Sequence, residues 1–361
     1  MSTPTTSQNQ GPDLDTPVGG IPLSHGTIPK YAPQATLVLA AVAGLLLNLA
    51  GMSIGLAAVL VAVLYAVVIY VWSASVEGSR KGKDRLVTAV VYSAFLLALL
   101  PLISVVVTVV SEGFARFDAE FFSYSMRGVV GEGGGIYHAL MGTLIVTALA
   151  AVISVPIGML CAIYLVEYGR GKLAKAITFF VDVMTGIPSI VAGLFAVSLF
   201  ALFFGPGVRM GIMGAIALSV LMIPVVVRST EEMLKLVPNE LREAAYALAV
   251  PKWRMIVKVV LPTALAGIAT GVTLAIARVI GETAPLLLTV GITSSVNLNP
   301  FDGRMATLSV FSYYEYVSPG VPPEPSLERA WAAALTLIII VMALNLVARV
   351  ISRLFAPKTR G

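Results

Sequence analysis

The chain reads EAAYALAVPKWRMIVKVVLP from Glu243 to Pro262, and this stretch decides how the rest of the sequence is interpreted. Its charged residues suit an aqueous setting, although long apolar runs flank it on both sides. The alanines that follow Glu243 favour a helix with little side-chain bulk, and Pro251 interrupts a helical hydrogen-bond ladder. The stretch therefore predicts two short helices joined by a bend, held outside the membrane between two spans.

The neighbouring residues indicate where the two helices begin. Pro238 and Asn239 suit the start of the first helix, through the fixed φ of proline and side-chain capping by asparagine. Glu240 and Glu243 then fall in the first turns, where the helix dipole favours acidic side chains. The second helix is expected around Trp253. Such a pair suits either a groove on a partner protein or lipid headgroups, and local physics leaves both open.

Composition places this helix pair in a membrane protein. Of the 361 residues, 58% are hydrophobic and only 12% are charged, which is too apolar for a soluble globule. A helix needs about 20 apolar residues to cross a bilayer. The apolar runs near that length predict eight helices at 36–51, 54–75, 86–110, 138–166, 179–204, 210–227, 260–290 and 331–352. We therefore expect an all-α polytopic membrane protein.

The distribution of basic residues indicates the orientation of these helices. Most of the 24 Lys and Arg residues fall on the side that carries 228–258, as in the segments 76–85 and 170–175. This bias matches the positive-inside rule, so both termini and the bent helix pair are expected in the cytoplasm. The sequence pI near 9.3 thus reflects orientation in a lipid membrane and requires no nucleic-acid partner.

Five positions of the opening stretch match a known motif in register: Glu243, Ala244, Ala245, Leu261 and Pro262. The motif is the EAA loop of the membrane subunits of ABC importers, which the chain therefore resembles. In that family the loop forms two short cytoplasmic helices that dock into a groove on an ATPase subunit. Ala249 replaces the family's glycine and Val259 replaces its isoleucine. Because alanine adopts the positive φ of a bend poorly, Pro251 is expected to supply the turn instead.

This resemblance implies an architecture and a set of docking residues. The implied fold is the type I (MetI-like) importer permease, with a six-helix core over 86–355, a transmembrane domain at 138–352 and a coupling loop at 228–258. An extra N-terminal transmembrane hairpin at 36–75 has no counterpart in that core, and a basic cytoplasmic loop at 76–85 separates the two. Residues 1–35 are expected to be a disordered cytoplasmic tail and 356–361 a second tail. The docking residues implied are Asn239, Glu240, Glu243, Ala244, Ala245, Ala249, Pro251, Trp253, Leu261 and Pro262.

Two further segments narrow the resemblance: IARVIGETAPLLLT at 276–289 and MTGIPSIVAG at 184–193. Both are similar to the phosphate-specific (Pst) importer permeases, and the first is closer to the PstA type than to the PstC type. The resemblance implies phosphate as the substrate. It also implies a PstC-like sister permease, a PstB-like ATPase dimer and an external PstS-like phosphate-binding protein as partners. The chain has no Walker A pattern, so we expect no enzymatic activity and no cofactor of its own, with ATP used by the partner subunit.

One pair of charges stands out within a predicted span. Arg278 is its only basic residue, and Glu282 lies four positions further on the same helical face. Such charges usually pair or line a wet path, and two interpretations stay open. In the first, they form a structural pair. In the second, they line a phosphate path in which Arg278 donates to a phosphate oxygen. Glu282 would then keep the phosphate from being trapped, and Thr283 would add a hydroxyl donor. Gly271 and Ala275 are predicted on the same helical face as Arg278 and Glu282. Their small side chains would let another helix approach, such as one of the sister permease.

Two other functions fit parts of this pattern. One is an ABC permease for another oxyanion, such as molybdate or sulfate, and the other is a secondary transporter or channel that works without an ATPase. The external segment 291–330 either receives a binding protein or is an ordinary solvated loop. Its prolines predict no regular helix through its second half. The glycine-rich run at 131–135 is expected to be a flexible connector.

Overall fold

The structure, a computed structural model, describes residues 26–355, and all regular secondary structure within this range is helical. Of the expected N-terminal tail at 1–35, residues 1–25 lie outside the described residues, as does the expected tail at 356–361, and a helix already begins at Ala32. The helices are α1 (Ala32–Leu49), α2 (Ile54–Val76), α3 (Ser79–Gly113), α4 (Ala119–Ser123), α5 (Tyr137–Ile163), α6 (Lys172–Thr185), α7 (Ser189–Phe204), α8 (Gly211–Lys235), α9 (Asn239–Ala247), α10 (Lys252–Met255), α11 (Leu261–Val279), α12 (Ala284–Thr289), α13 (Leu308–Val317) and α14 (Glu324–Phe355). A 3₁₀ turn covers Phe114–Arg116, and two π-helical turns cover Tyr164–Tyr168 and Ile256–Val260.

The chain divides into two compact units, Met1–Val106 and Val107–Gly361, with the division inside α3. In the first unit α1 and α2 form a hairpin, and Gly44 of α1 brings its backbone close to Val61 of α2. Many of the large apolar side chains of both helices are exposed, including Leu39, Leu46 and Val63. An outward apolar surface of this kind suits helices surrounded by lipid.

The expected basic loop at 76–85 is mostly helical, because α3 already begins at residue 79. Only a turn at Glu77 and Gly78 separates it from α2, and Gly78 has the positive φ, 94°, that glycine tolerates. Glu77 is buried at this turn. Its carboxylate accepts hydrogen bonds from the Arg85 guanidinium (2.8 Å), the Ser73 hydroxyl (2.9 Å) and the Ile28 backbone N–H (3.1 Å).

In the second unit α8 is the central helix. It is the most deeply buried of the long apolar helices and packs on α5, α7, α11 and α12. A Cβ added at Gly158 of α5 would lie 2.7 Å from the Val226 side chain of α8, and one added at Gly271 of α11 would lie 2.6 Å from Ser229. Small residues permit such close packing in lipid. The helix packed against Gly271 is therefore α8 of this chain, and not a helix of the sister permease as the sequence suggested.

Seven helices among the described residues are long and apolar enough to cross a membrane, and the bent pair α6–α7 makes up to eight. The prediction of one continuous helix at 179–204 was wrong, because α6 and α7 differ in direction by 108°. Gly186 follows the last residue of α6, and Pro188 precedes α7. The residue before a proline avoids the α region, so Ile187 cannot easily continue the helix.

The predicted span at 260–290 is also interrupted, since α11 ends at Val279 and only the short α12 follows. Pro285 lies in the first turn of α12, where no amide donor is needed, so it suits the start of a new helix after the break. The expectation of no helix in the second half of 291–330 was partly wrong, because α13 extends to Val317. The prolines in the second half of that segment begin only at Pro319, and Pro325 lies in the first turn of α14, where no donor is needed.

Two arginines hold the glycine-rich run at 131–135. Arg329 donates to the carbonyl oxygens of Gly131 (2.8 Å) and Gly133 (3.2 Å), and Arg116 donates to that of Gly134 (3.2 Å). Arg329 is itself buried and paired with Glu315. This run is thus tied to two neighbouring elements, which does not suit the loose connector that was expected.

Candidate functional site

The predicted bent helix pair is present between α8 and α11. Its first helix, α9, begins at Asn239 directly after Pro238, whose φ of −57° and ψ of 141° set the chain for a helix start. The expected side-chain cap is missing, and the side-chain oxygen Oδ1 of Asn239 instead accepts a 3.3 Å hydrogen bond from the Arg242 guanidinium. Proline geometry therefore starts this helix without help from asparagine.

The bend after α9 is a Schellman turn built on an alanine. Ala249 has a φ of 53°, and it is the only non-glycine residue with positive φ in the described part of the chain. Its N–H bonds to the Tyr246 carbonyl (2.9 Å), and the N–H of Val250 bonds to the Ala245 carbonyl (3.1 Å), as this turn requires. The expectation that Pro251 would replace the positive-φ residue was wrong. Pro251 follows the turn and begins α10.

The helix pair turns one face inward and leaves the other exposed. Ala245 is buried beside Val237 and Met255, and Leu261 is half-buried. The most exposed large apolar side chains of the pair are Leu248 (79%) and Trp253 (59%). The other predicted docking residues are also exposed, namely Asn239, Glu240, Glu243, Ala244, Ala249, Pro251 and Pro262. An apolar surface on a polar loop is typical of an interaction site.

The inward face of the helix pair is held by one residue in the π turn that directly follows α5. The Glu167 carboxylate, in the first π turn, pairs with the Arg242 guanidinium of α9 at 2.9 Å. Arg242 also donates to the carbonyl oxygen of Leu234 at the end of α8 (2.9 Å) and to that of Val237 just beyond α8 (2.6 Å). Lys252 of α10 donates to the backbone carbonyl of Glu167. Sequence reasoning did not assign this role to Arg242 or Glu167, which are far apart in the chain.

A second candidate site is a cavity of about 220 Å³ where three irregular helix segments meet. These are the break at 186–188, the turn of α8 around Pro224 and the end of α11 at Val279. The polar residues that line the cavity are Thr185, Ser189, Arg278 and Glu282. Broken membrane helices expose backbone groups and helix ends to a cavity, which suits the passage of a polar solute.

The structure brings Arg278 and Glu282 to this cavity but does not pair them. No ion pair or side-chain hydrogen bond in the described residues involves either group. Thr283, which is half-buried directly before α12, does not line the cavity. Of the three predicted path residues, two therefore share the cavity.

Sequence reasoning missed Thr185 and Ser189. Both lie at the helix break, on either side of Gly186, Ile187 and Pro188. The Gly-Ile-Pro string was the available signal, since glycine and proline together mark a turn. Its position inside an apolar run concealed the break.

Comparison with known proteins identifies the family. A family model described as "Binding-protein-dependent transport system inner membrane component" matches residues 154–361, which include the cavity and the bent helix pair. The phosphate transport system permease protein PstA 1 of Mycobacterium tuberculosis (strain CDC 1551 / Oshkosh) is 47% identical over 284 residues, covering 78% of this chain and 92% of the relative. PstA of Mycobacterium leprae (strain TN) is 48% identical over 272 residues, covering 74% and 88%.

A more distant relative carries the same name, and one solved structure shares the fold. PstA of Pasteurella multocida (strain Pm70) is 38% identical over 273 residues, covering 75% of this chain and 95% of the relative. A bacterial alginate ABC transporter, solved with an alginate pentasaccharide-bound periplasmic protein, has a TM-score of 0.54 and 14% identity. The match covers 75% of this chain and 95% of that one. At this identity the likeness concerns the fold alone.

Proposed function

We propose that this chain, which belongs to the family of binding-protein-dependent transport system inner membrane components, is the permease subunit of an ATP-driven inorganic phosphate importer. Three relatives that match over most of both sequences are named as phosphate transport permeases. This single observation carries the proposal and favours phosphate over molybdate or sulfate. The chain is a transport component of the inner membrane with several spans, and not an enzyme.

The bent helix pair is the proposed docking surface for the ATPase subunit. Support comes from the exposed Trp253 and Leu248, which lie on a polar loop that also carries the exposed acidic Glu240 and Glu243. A short helix that presents apolar side chains suits a groove on a partner. The alternative of lipid headgroup contact predicts no loss of ATPase when Trp253 is changed.

The cavity at Arg278 is the proposed part of the phosphate path. Arg278 has no carboxylate partner in the described residues, so its guanidinium is free to donate to a phosphate oxygen. Glu282 lines the same cavity and would repel an anion that stayed bound. A path that must release its ion needs weak binding, and tight capture then belongs to the external binding protein.

The complete transporter requires partner subunits. We propose that a PstC-like sister permease shares the path, that a PstB-like ATPase dimer binds the bent helix pairs, and that a PstS-like protein delivers phosphate from outside. The excess of Lys and Arg on the 228–258 side supports a cytoplasmic location for the bent pair and for both chain ends. ATP-driven closure of the ATPase dimer would then pull on the docking loops and switch the path between its outward and inward openings.

Uptake in cells tests the substrate directly. Cells that lack this chain should lose uptake of labelled phosphate, keep uptake of labelled molybdate and sulfate, and recover phosphate uptake when the chain is restored. Loss of molybdate or sulfate uptake with normal phosphate uptake would refute the phosphate assignment. Uptake that persists after inactivation of the ATPase subunit would instead favour a transporter independent of ATP.

A further inference from the structure

We propose that the Glu167–Arg242 ion pair is the connection through which the docking loop moves the helix core. In this role both are positioning residues, and neither contacts the ATPase or the transported ion. The inference rests on the proposed function of the bent helix pair and adds the residues through which its movement reaches the membrane helices.

The geometry of the pair links elements that are distant in the chain. Glu167 lies at the end of α5, in the π turn Tyr164–Tyr168, and Arg242 lies in the middle of α9. Their charged groups are 2.9 Å apart, and their side chains are only 5% and 14% exposed. An ion pair shielded to this extent is screened little by salt, so it holds more firmly than a surface pair.

Both arms of the docking loop are held by this one residue. Arg242 on the first arm binds the carboxylate of Glu167, while Lys252 on the second arm binds its backbone carbonyl. The Lys252 ammonium also lies 4.7 Å from the centre of the Tyr168 ring, in cation–π contact. A pull on either arm therefore acts on the end of α5. A π turn at this position is also common at functional sites.

Arg242 connects the same loop to α8. Its guanidinium donates to the carbonyl oxygens of Leu234 and Val237, in addition to Glu167. Because α5 and α8 are closely packed at Gly158 and Val226, the two helices must move together or slide at that contact. The guanidinium thus joins the loop to both members of a tightly packed pair.

The connected helices lead to the cavity. Pro224 of α8 lines it, and Arg228, one turn further, pairs with Asp182 of α6. Thr185, the last residue of α6, lines the cavity as well. Movement passed from Arg242 to α8 would therefore reach two walls of the proposed path. The covalent connections of the loop lead only to α8 and α11, whereas the Glu167 contacts also link the loop directly to the turn that follows α5.

The test uses the complete complex in lipid vesicles, with the sister permease, the ATPase dimer and the external binding protein. In the Glu167→Gln variant we expect the ATPase subunit to remain bound and ATP hydrolysis to continue. The amount of labelled inorganic phosphate transported per ATP should fall about fivefold or more, as for a lost coupling between two sites. Arg242→Lys keeps the charge but cannot make the same set of bonds, so it should give a smaller fall.

A rescue and a matched control separate coupling from stability. The double exchange Glu167→Arg with Arg242→Glu should transport more phosphate per ATP than either single exchange. Glu315→Gln breaks another shielded Arg–Glu pair, with Arg329, at the opposite end of the core helices. It should leave the ratio of phosphate to ATP unchanged even if the complex unfolds at a lower temperature.

Three results would overturn the proposal: an unchanged ratio in Glu167→Gln, an equal fall in Glu315→Gln, or loss of the ATPase subunit from the Glu167→Gln complex. The last would mean that the pair acts in docking itself. Failure of the wild-type chain to retain any ATPase subunit is a different outcome, and it would refute the proposed function instead.

Discussion

Arg278 and Glu282 line one cavity of about 220 Å³, yet no ion pair joins them. A charge in a membrane protein usually has a partner or a wet surrounding. An arginine without a carboxylate partner keeps its donors for another anion, and this distinguishes the path interpretation from that of a structural pair.

Replacing Arg278 should therefore affect transport more than folding. Arg278→Ala should lower labelled phosphate uptake about tenfold or more, since a hydrogen bond to a charged group contributes roughly 1.5–3 kcal/mol. The amount of complex in the membrane should stay close to normal. Arg127→Ala, at an exposed arginine away from the cavity, is the matched control and should leave uptake unchanged. Normal uptake in Arg278→Ala would remove this residue from the path.

The exposed Trp253 and Glu243 of the docking loop should determine whether the ATPase subunit stays bound. Trp253→Ala and Glu243→Lys should each reduce the ATPase subunit recovered with the purified complex, by about tenfold if a central contact of roughly 1–2 kcal/mol is lost. Trp72→Ala removes another exposed tryptophan, in α2, and should have no such effect. Full retention in both loop variants would favour the lipid-headgroup interpretation of the bent pair.

The alanine in the Schellman turn provides a stability test. Ala249→Gly should raise the unfolding temperature of the complex, because a left-handed conformation costs a non-glycine residue about 1–2 kcal/mol. Ala247→Gly, at the last helical residue of α9, should lower it, since glycine in a helix costs up to about 1 kcal/mol relative to alanine. Differential scanning fluorimetry would measure both. Equal destabilisation by the two glycines would contradict the φ of 53° at Ala249.

Glu77 should make the first unit sensitive to acid. Hydrogen bonds from Arg85, and next from Ser73 and Ile28, outweigh burial and lower the pKa of this carboxyl from 4.5 to about 2. Because the pKa is lower in the folded chain than in the unfolded chain, the ionised carboxylate stabilises the fold above about pH 4.5. That contribution should disappear as the pH falls toward 2.

The measurement compares variants rather than absolute stability. When the pH falls from about 6 to about 3, the unfolding temperature should fall further for the wild-type chain than for Glu77→Gln, because the variant has no charge to lose at this position. Asp84→Asn, at an exposed carboxylate nearby, should behave like the wild-type chain. An identical loss in the wild-type chain and Glu77→Gln would show that the Glu77 charge contributes little.

The approximate positions of most membrane helices followed from the sequence, because apolar runs of bilayer length have few alternatives in lipid. The start of α9 at Asn239 and the bend after it were also predictable, since proline and the residue in the glycine position act on their immediate neighbours. The two interruptions at 186–188 and 280–283 were missed. Their glycines and prolines are visible in the sequence, but the surrounding apolar residues conceal whether the chain bends or merely kinks.

What the sequence determined by itself is therefore local or compositional: an all-helical membrane protein, a bent polar helix pair, and an arginine and a glutamate four positions apart in one apolar run. The tertiary structure decided which residues meet. Glu167 and Arg242 lie 75 positions apart, and Thr185 and Arg278 reach one cavity from different helices. The sequence period of a helix shows which face a side chain occupies, but only the packing of α5, α6, α8 and α11 sets what that face contacts.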